Sequence, residues 1–431
     1  MSVKIGDGRT ALGLDEALRI VVEAAPPPVF EKLSLGDALG RVLANTARAK
    51  VDQPPFDKSA MDGFAHGSPL PAPGGPWRVA GLAAARAGGV PSPLKPGECL
   101  RIMTGAMIPP GTVAVQRVER TETLPHSPGS PELVRFTRAE EWDNVIRRGE
   151  NQKEGDILLT PRVLRPQDIG ILASSGYEDI VVAKRPRVAV VSTGDELVAT
   201  GSLLSPGAIF DSNGPQLTAQ AQACGCDARF VGIVLDDEDA LALAFEEALA
   251  DCNVLIVSGG VSMGDFDHVP RALARAGVEK LFHGLAMRPG KPVFFGTRRA
   301  GTCAFGRADA SAFGRADASA FGLAGNPVST FVGFEVLVRP HLAARVGLDW
   351  HPRFVGARLA STLERRETDR LEFLPARLES GTDGLPALRP LSYKGSSMLS
   401  ALADADCLVS MEIGVGRLET GSVVNARLVR P

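Results

Sequence analysis

The stretch that decides the fold begins Arg187-Val-Ala-Val-Val-Ser-Thr-Gly-Asp-Glu-Leu197, and its form recurs in Asn253-Val-Leu-Ile-Val-Ser-Gly-Gly260. Each is an apolar run followed by glycine and then by hydroxyl or charged residues. This pattern is typical of a buried parallel strand with functional side chains at its carboxyl end. Segments with helical spacing separate such runs as far as Val346. The sequence therefore predicts a doubly wound parallel α/β domain.

Outside this domain, short alternating segments between proline and glycine turns are typical of β structure. The predicted fold class is α/β plus β, with an elongated N-terminal region, a small β-rich module and a C-terminal domain resembling a β-barrel. We expect four regions: residues 1–52 with 144–185 as an elongated N-terminal and linker region, 53–143 as the β-rich module, 186–346 as the α/β domain, and 347–431 as the C-terminal β domain.

Composition limits the classes of function. The chain has 431 residues and a formal net charge of −3, so no global basic surface favours nucleic-acid binding. No apolar run approaches the roughly 20 residues of a membrane span, and the first residues lack the apolar core of a signal peptide. The six scattered cysteines indicate free or buried thiols in a reducing cytoplasm, and zinc-ligand spacing is missing.

One segment interrupts the regular order. Ala304–Ser311 is repeated without change as Ala312–Ser319, and a third Ala-Phe-Gly follows at residues 320–322. Two copies are too few for a solenoid, so we expect a tandem duplication that lengthens a loop. The third Ala-Phe-Gly is expected to take the structural position, because it is contiguous with the glycine-rich turn after it. Residues 304–319 are expected to be mobile.

Four carboxylates follow predicted strands of the α/β domain: Glu196, Asp236, Asp265 and Asp267. The carboxyl ends of parallel strands face one crevice, so we expect these acids to converge. Carboxylates beside glycine-rich loops suit Mg²⁺ bound together with a phosphate. The alternative is that Asp236 and Asp267 only cap helices.

Groups that bind anions surround the same crevice. Gly259, Gly260 and Gly264 are expected to present backbone N–H groups to a phosphate, and Arg288 and Lys291 supply positive charge. Asn326-Pro-Val-Ser-Thr330 predicts a helix N-terminus that binds an anion with help from the Ser329 hydroxyl. An ordinary capped helix is the alternative.

Two segments near the N-terminus also bring polar groups to turns. Asp57 lies among small residues in Gln53–Ala65, where a backbone can approach a ligand closely. Thr104 stands between a predicted strand and a glycine turn. For Asp57, a plain Asp-rich surface turn is the alternative.

These motifs together resemble the molybdopterin molybdenumtransferase family, the molybdenum insertases of molybdenum-cofactor biosynthesis, which are related to the E domain of gephyrin. The resemblance extends over nearly the whole chain. The motifs are Pro55-Phe-Asp-Lys-Ser-Ala-Met-Asp-Gly63, Arg101-Ile-Met-Thr-Gly-Ala106, Ser192-Thr-Gly-Asp-Glu-Leu197, Ser258-Gly-Gly-Val-Ser-Met-Gly264, Arg288-Pro-Gly-Lys-Pro292 and Gly325-Asn-Pro-Val-Ser329.

The resemblance implies a reaction in which adenylylated molybdopterin and molybdate bind with a divalent cation, AMP is released, and molybdenum stays on the dithiolene. It implies a homodimer with its site near the subunit interface, and the upstream adenylyltransferase and recipient molybdoenzymes as further partners. The residues implied around the nucleotide, pterin and metal are Asp57, Thr104, Glu196, Asp236 and Asp267, and of these Glu196, Asp236 and Asp267 are the Mg²⁺ ligands. The residues implied around molybdate are Arg288, Lys291, Pro292, Ser329, Arg370 and Ser396. The residues implied around phosphate are Thr193, Gly194, Gly259, Gly260 and Gly264.

The chain departs from the family pattern at a few positions. Lys58 stands in place of Asn, Phe64 in place of Tyr, and Ala324 in place of a proline just after the duplication. Asn151 stands where the pattern has an Asp, so no role is transferred there. Ala lacks the fixed φ of Pro, so a looser turn and slower turnover are expected.

Two other functions fit parts of the sequence. A molybdopterin adenylyltransferase would share the α/β domain, but it would not need the N-terminal and C-terminal regions. A non-catalytic scaffold relative would not need Asp57, Glu196, Asp236 and Asp267, all of which are present.

Overall fold

The computed structural model describes residues 2–4, 10–68, 74–86, 89–262, 268–299, 317–381 and 384–429. The chain divides into two compact units. The first unit comprises Met1–Glu31, Gly40–Ala44 and Val182–Pro431, and the second comprises Lys32–Leu39 and Asn45–Val181. No helix within the described ranges has both the length and the apolar character to cross a membrane.

The N-terminal part of the chain supplies two short strands, one helix and a third strand: β1 (Ser2–Lys4), β2 (Thr10–Leu12), α1 (Leu14–Glu23) and β3 (Phe30–Ser34). Pro26-Pro-Pro28 follows α1 closely, and consecutive prolines cannot continue a helix. The helix buries Ala17 and Val21, one turn apart on the same face.

The second unit is mainly β structure. Its elements are β4 (Ala47–Arg48), β5 (Lys58–Ser59), β6 (Gly63–His66), β7 (Gly74–Ala83), β8 (Glu98–Ile102), β9 (Ala114–Arg117), β10 (Thr121–Leu124), β11 (Leu133–Phe136), β12 (Val145–Ile146), β13 (Ile157–Leu159) and α2 (Pro166–Ser174), and β14 (Asp179–Ala183) follows. Six strands form one sheet in the order β10-β11-β7-β8-β6-β9. Trp77 stacks on Phe136 with ring centroids 5.3 Å apart, so these aromatic side chains cover part of its core.

The central part of the first unit alternates strands and helices. Its strands are β15 (Arg187–Thr193), β16 (Leu197–Val198), β17 (Ile209–Phe210), β18 (Asp227–Val234), β19 (Val254–Ser258), β20 (Glu279–His283), β21 (Met287–Arg288), β22 (Val293–Arg298) and β23 (Ala318–Leu323). Its helices are α3 (Asn213–Ala223), α4 (Glu238–Asp251), α5 (Val269–Arg275), α6 (Pro327–Gly333) and α7 (Arg339–Arg345), and a π-helical segment at Phe334–Val338 joins the last two.

The main sheet has the strand order β18-β15-β19-β23-β22-β20. Val188 and Val190 of β15 pack with α1, α3 and α6 on one face. Ala189 and Val191 point to the other face, where they pack with α4 and α5. Helices therefore cover both faces, and the predicted doubly wound α/β domain is confirmed. The four strands from β18 to β23 are parallel. At the edge beyond them β22 runs in the opposite direction, and β20, which is antiparallel to β22, runs in the same direction as the four.

Strand β23 shows where the duplication meets the sheet. Phe321 of the third Ala-Phe-Gly pairs with Ile256 of β19 and Phe295 of β22, so the expected position of that copy is confirmed. Ala318 and Ser319, the last two residues of the second copy, also pair in the sheet and are buried. The expectation of a mobile loop was wrong for these two residues, because β23 needs six residues to match its neighbours. Residues 304–316 lie outside the described residues.

The C-terminal part contains β24 (Phe354–Leu359), β25 (Leu363–Glu364), β26 (Leu371–Glu379), β27 (Ala387–Pro390), β28 (Cys407–Met411), β29 (Arg417–Leu418) and β30 (Val423–Leu428). Five of these strands follow one another as β26-β27-β24-β30-β28, and β28 also pairs with β26. The sheet is thus a closed barrel without free edges, and the predicted α/β plus β class is confirmed. The division into four regions stays a prediction.

Candidate active site

A cavity of about 1030 Å³ opens at the carboxyl ends of the parallel strands of the first unit. Twelve of the residues predicted from the sequence line it. They are Thr193, Gly194, Glu196, Asp236, Gly259, Gly260, Arg288, Lys291, Pro292, Ser329, Arg370 and Ser396. Gly264, Asp265 and Asp267 lie outside the described residues. The cavity is therefore the place where the strand ends of the sheet meet the loops of the barrel.

The acidic side of the cavity follows β15 and β18. Asp237 caps α4, since its carboxylate accepts hydrogen bonds from the amides of Asp239 and Ala240. Asp236 is therefore not the cap. Its carboxylate accepts a hydrogen bond from the Thr193 hydroxyl at 3.3 Å, and its amide donates to Asp195 at 3.2 Å. These bonds hold Asp236 beside the end of β15.

The glycines of the two strand ends allow close contacts. A Cβ on Gly194 would lie 2.8 Å from the Glu196 carboxylate, and one on Gly259 would lie 2.2 Å from the Thr193 carbonyl oxygen. Gly259 also has a φ of +100°, which side chains disfavour. Its N–H donates to the Leu323 carbonyl at 3.1 Å. The expectation that this N–H is free for a phosphate was therefore wrong, because the turn itself uses it.

A buried polar pair missed in the sequence analysis supports the floor of the cavity. The Asn213 side-chain amide donates to the Ser258 hydroxyl at 2.8 Å and to the Gly325 carbonyl. The Asp211 carboxylate accepts from the amides of Asn213 and Gly214 at 3.0 and 3.1 Å. Ser212 stands at the N-cap position of α3, but its side chain makes no capping bond, and the Asp211 carboxylate accepts from the first amides instead. The run Asp211-Ser-Asn213 predicts a helix N-terminus, but it does not show which of the three side chains accepts hydrogen bonds from the first amides.

The cationic side of the cavity contains two arginines joined by one acid. Arg370 donates to the Glu367 carboxylate at 3.2 Å, and Arg288 donates to the same oxygen. Glu367 is mostly exposed. Two guanidinium groups so close together are a site for an oxyanion, with Glu367 as the internal competitor.

The lining residues that were not predicted include Arg365, Tyr393 and Lys394. Arg365 is almost fully buried and donates to the Glu372 carboxylate at 3.4 Å and to the Arg370 carbonyl at 2.8 Å. Burial and then the Glu372 charge raise the pKa of Tyr393 to about 12, so its hydroxyl stays protonated at neutral pH. Tyr393 and Lys394 belong to the run Tyr393-Lys-Gly-Ser396, which was the available signal in the sequence. This run matches no short functional motif.

Helix α6 begins at the base of the cavity. Asn326 stands at the N-cap position of this helix, but its side chain makes no capping bond and donates instead to the Ser396 hydroxyl at 2.9 Å. The amide of Val328 donates to the Ser396 carbonyl at 3.0 Å. One N–H at this helix N-terminus is thus already occupied. Ser329 is only 4% exposed and lines the cavity.

Asp57 and Thr104 belong to the second unit. The Asp57 carboxylate accepts from the amide of Arg148 at 2.7 Å and from the Arg147 guanidinium at 3.3 Å. The amide and hydroxyl of Thr104 both donate to Asp62 at 2.7 Å, and these bonds lower the pKa of that carboxyl. Asp57 and Asp62 are therefore held in place by hydrogen bonds in turns of this unit.

The acidic side suits a hard cation. In the part of the chain that the structure describes, no three His, Cys, Asp or Glu side chains gather closely enough to hold a metal ion. Glu196 and Asp236 nevertheless both line the cavity with the Thr193 hydroxyl. Mg²⁺ is commonly held by one or two carboxylates together with water and phosphate oxygens. The residues present thus fit this ion.

Three protein-family descriptions match the chain in succession. Residues 12–176 match "MoeA N-terminal region (domain I and II)", residues 189–344 match "Probable molybdopterin binding domain", and residues 357–429 match "MoeA C-terminal region (domain IV)".

Relatives and solved structures agree with these matches. A protein of Bacillus subtilis named molybdopterin molybdenumtransferase is 32% identical over 427 residues, covering 98% of this chain and 95% of the relative. A protein of the same name from Haemophilus influenzae is 32% identical over 424 residues, covering 96% and 97%. The crystal structure of a molybdopterin biosynthesis MoeA protein from Pyrococcus horikoshii superposes with a TM-score of 0.79 at 28% identity, covering 97% of this chain and 99% of that one.

Proposed function

Because this chain belongs to the molybdopterin molybdenumtransferase family, we propose that its cavity inserts molybdenum from molybdate into adenylylated molybdopterin and releases AMP. The chain is thus a transferase of molybdenum cofactor biosynthesis. One observation supports this use of the cavity above the others: Glu196 and Asp236 line it after β15 and β18, whereas Arg288, Lys291 and Arg370 line it from β21, the turn after β21 and the barrel, where Glu364 and Glu372 also lie. A nucleotide with its cation and a tetrahedral oxyanion need these two environments side by side.

The acidic side is proposed to hold the phosphoanhydride of the substrate. Glu196 and Asp236 would bind Mg²⁺ there, and Thr193 orients Asp236 by its hydrogen bond. When bound, the ion neutralises charge on the phosphate oxygens and so favours the departure of AMP. The turns at Gly194 and Gly260 keep this side free of side-chain bulk.

The cationic side is proposed to bind molybdate. Arg288, Lys291, Arg370, Ser329 and Ser396 all line it. Guanidinium groups donate pairs of parallel hydrogen bonds to an oxyanion, and hydroxyls donate single ones. Pro292 shapes the wall beside Lys291. The burial of Ser329 favours an anion that has lost part of its hydration shell.

Asp57 and Thr104 are proposed to act in catalysis as well. The support is the match of their motifs to the family and the fixed geometry of their turns in the second unit. The wider setting is also a proposal: a homodimer in the cytoplasm, served by an upstream adenylyltransferase and by recipient molybdoenzymes. The five described cysteines are free, which is usual in a reducing compartment.

The adenylyltransferase alternative is not favoured, because the family matches extend over the N-terminal and C-terminal regions as well as the molybdopterin-binding domain. A non-catalytic scaffold would not need Glu196 and Asp236 at the end of one sheet.

The test is a molybdate-dependence assay. Purified protein is mixed with adenylylated molybdopterin and Mg²⁺, and AMP release is measured with and without molybdate. Release should require molybdate and fall at least about 100-fold in Glu196→Ala and Asp236→Asn, as expected when a charge-stabilising group is lost. Glu247→Gln, an exposed change on α4, is the matched control. Substrate binding without AMP release under any condition would overturn the proposal.

A further inference from the structure

A second cavity, of about 690 Å³, lies at the opposite edge of the main sheet of the first unit. Arg187 opens β15, Asp227 opens β18, and Asn253 directly precedes β19, so the cavity is at the amino ends of these strands. Parallel strands point the same way, and the proposed active site is at their carboxyl ends. The two cavities therefore cannot share one ligand.

Cationic groups outnumber carboxylates four to two in the lining of this cavity. The cations are Lys184, Arg185, Arg187 and Arg345, and the acids are Glu31 and Asp227. Glu31 is already bound to Arg41, and Arg187 to Asp251. Within the described ranges, neither Lys184 nor Arg185 has a carboxylate at ion-pair distance, and both are exposed. Lys184 and Arg185 thus bring positive charge to the cavity without an ion pair among the described residues.

Arg345 adds a buried donor without a partner. Its Nη2 donates to the Asp317 carbonyl at 3.1 Å. Its Nη1 is buried and has no hydrogen-bond partner among the residues that the structure describes. An unsatisfied buried donor is unfavourable, and an anion in the cavity would satisfy it. Burial also lowers the pKa of the Arg345 guanidinium, although the Asp317 charge acts in the opposite direction.

The remaining lining indicates how large the anion is. Pro27, Val29, Pro186 and Ala228 give the cavity an apolar wall beside the cations. The volume falls in the range of sites for small organic ligands and exceeds what a free phosphate ion fills. An apolar wall can pack against a planar base or a sugar, and the guanidinium groups of arginine can donate paired hydrogen bonds to a phosphate group.

We propose that this cavity is a second, non-catalytic binding site for a small organic phosphate of nucleoside monophosphate size. Arg185 and Arg345 would bind the phosphate oxygens, Lys184 would add a point charge, and the apolar wall would hold the organic part. The assignment does not depend on the proposed function of the first cavity.

The test is hydrogen exchange of the full-length protein, followed by mass spectrometry, during titration with AMP at low salt. AMP should slow exchange in segments 184–188 and 226–230, and segment 193–197 reports the first cavity separately. The double variant Lys184→Ala/Arg185→Ala should raise the half-saturating AMP concentration for segments 184–188 and 226–230 at least tenfold. Both side chains are exposed, so the fold is expected to survive, and Arg345→Met tests the buried donor.

The matched control is Lys280→Ala, an exposed cation on β20 that lines neither cavity. Protection confined to 193–197, or a double variant that behaves like Lys280→Ala, would overturn the site. An arm with inorganic phosphate separates the two sources of the anion. If inorganic phosphate protects the two segments as well as AMP does, the organic class of the ligand is wrong.

Discussion

The side-chain amide of Asn326 donates a hydrogen bond of 2.9 Å to the hydroxyl oxygen of Ser396. This bond joins the turn before α6 to the loop between β27 and β28 of the barrel. The Val328 amide and the Ser396 carbonyl add a second bond, of 3.0 Å. The α/β domain and the barrel are thus held together at the point where molybdate is proposed to bind.

Ser396→Ala removes the hydroxyl but keeps the backbone bond to Val328. We expect the KM for molybdate to rise about tenfold, because one hydrogen bond of about 1–1.5 kcal/mol and its positioning of Asn326 are lost. The measurement is AMP release against molybdate concentration. Ser400→Ala, exposed and outside the cavity lining, should leave the KM unchanged. Equal KM values for the two variants would show that the hydroxyl is not used.

Glu367→Gln removes the carboxylate that both Arg288 and Arg370 bind. The two guanidinium groups then lose this shared competitor, while Arg370 keeps its ion pair with Asp369, so molybdate should bind a few-fold more tightly. The gain should shrink as salt is added, because Glu367 is largely exposed and its charge is screened. Titration at two salt concentrations checks this. Weaker binding in the variant would mean that Glu367 positions the arginines instead of competing.

Gly259→Ala places a Cβ 2.2 Å from the Thr193 carbonyl oxygen at a φ of +100°. The free energy of unfolding should fall by about 3 kcal/mol or more, since backbone must move to relieve the overlap. Gly201→Ala is the control, because Gly201 also has a positive φ of +87° but has no atom within 4 Å of an added Cβ. It should cost about 1–2 kcal/mol. Similar losses in urea unfolding of both variants would contradict the close approach at Gly259.

His341 predicts a dependence of stability on pH. Full burial lowers its pKa to about 3, and one ring nitrogen contacts the Val21 carbonyl at 2.6 Å. The unfolded chain takes up this proton below about pH 6.5 and the folded chain does not. Stability is therefore retained above pH 6.5 and falls by about 1.4 kcal/mol per pH unit as the pH drops towards 3.

His341→Asn keeps a donor for Val21 and removes the titrating ring. In urea unfolding at pH 7, 6 and 5, the free energy of unfolding of this variant should depend less steeply on pH. By pH 5 the variant should have lost about 2 kcal/mol less of this free energy than the original protein. His351→Asn removes an exposed histidine and should keep the original slope. Unchanged slopes in both variants would mean that His341 does not stay neutral in the folded protein.

The duplication is tested by deleting residues 304–311. The product is identical to a deletion of 312–319, so β23 keeps its sequence from Ala318 to Leu323. The free energy of unfolding should change by no more than about 0.6 kcal/mol, as expected for halving a flexible loop, and AMP release should be retained. A fall in Tm of several degrees would mean that both copies pack against the protein.

By itself, the sequence determined the fold class and twelve of the residues that line the cavity. Strand-then-glycine motifs such as Ser192-Thr-Gly194 predict side chains at the carboxyl edge of a parallel sheet, because strand direction and period are local properties. The helices around the sheet followed from the same kind of pattern. The duplication was visible as a repeat, although its last two residues were wrongly assigned to a loop.

Tertiary structure alone decided which polar groups meet. Asn326 and Ser396 are 70 residues apart, and Arg288 and Glu367 are 79 apart. No local pattern specifies such partners, since they depend on how the barrel packs against the α/β domain. The same reason explains why the Asp211 carboxylate, and not the Ser212 side chain, accepts from the first amides of α3, and why the Gly259 N–H donates to the Leu323 carbonyl. Local periodicity fixes elements and their faces, whereas hydrogen-bond partners between distant segments exist only after the elements pack.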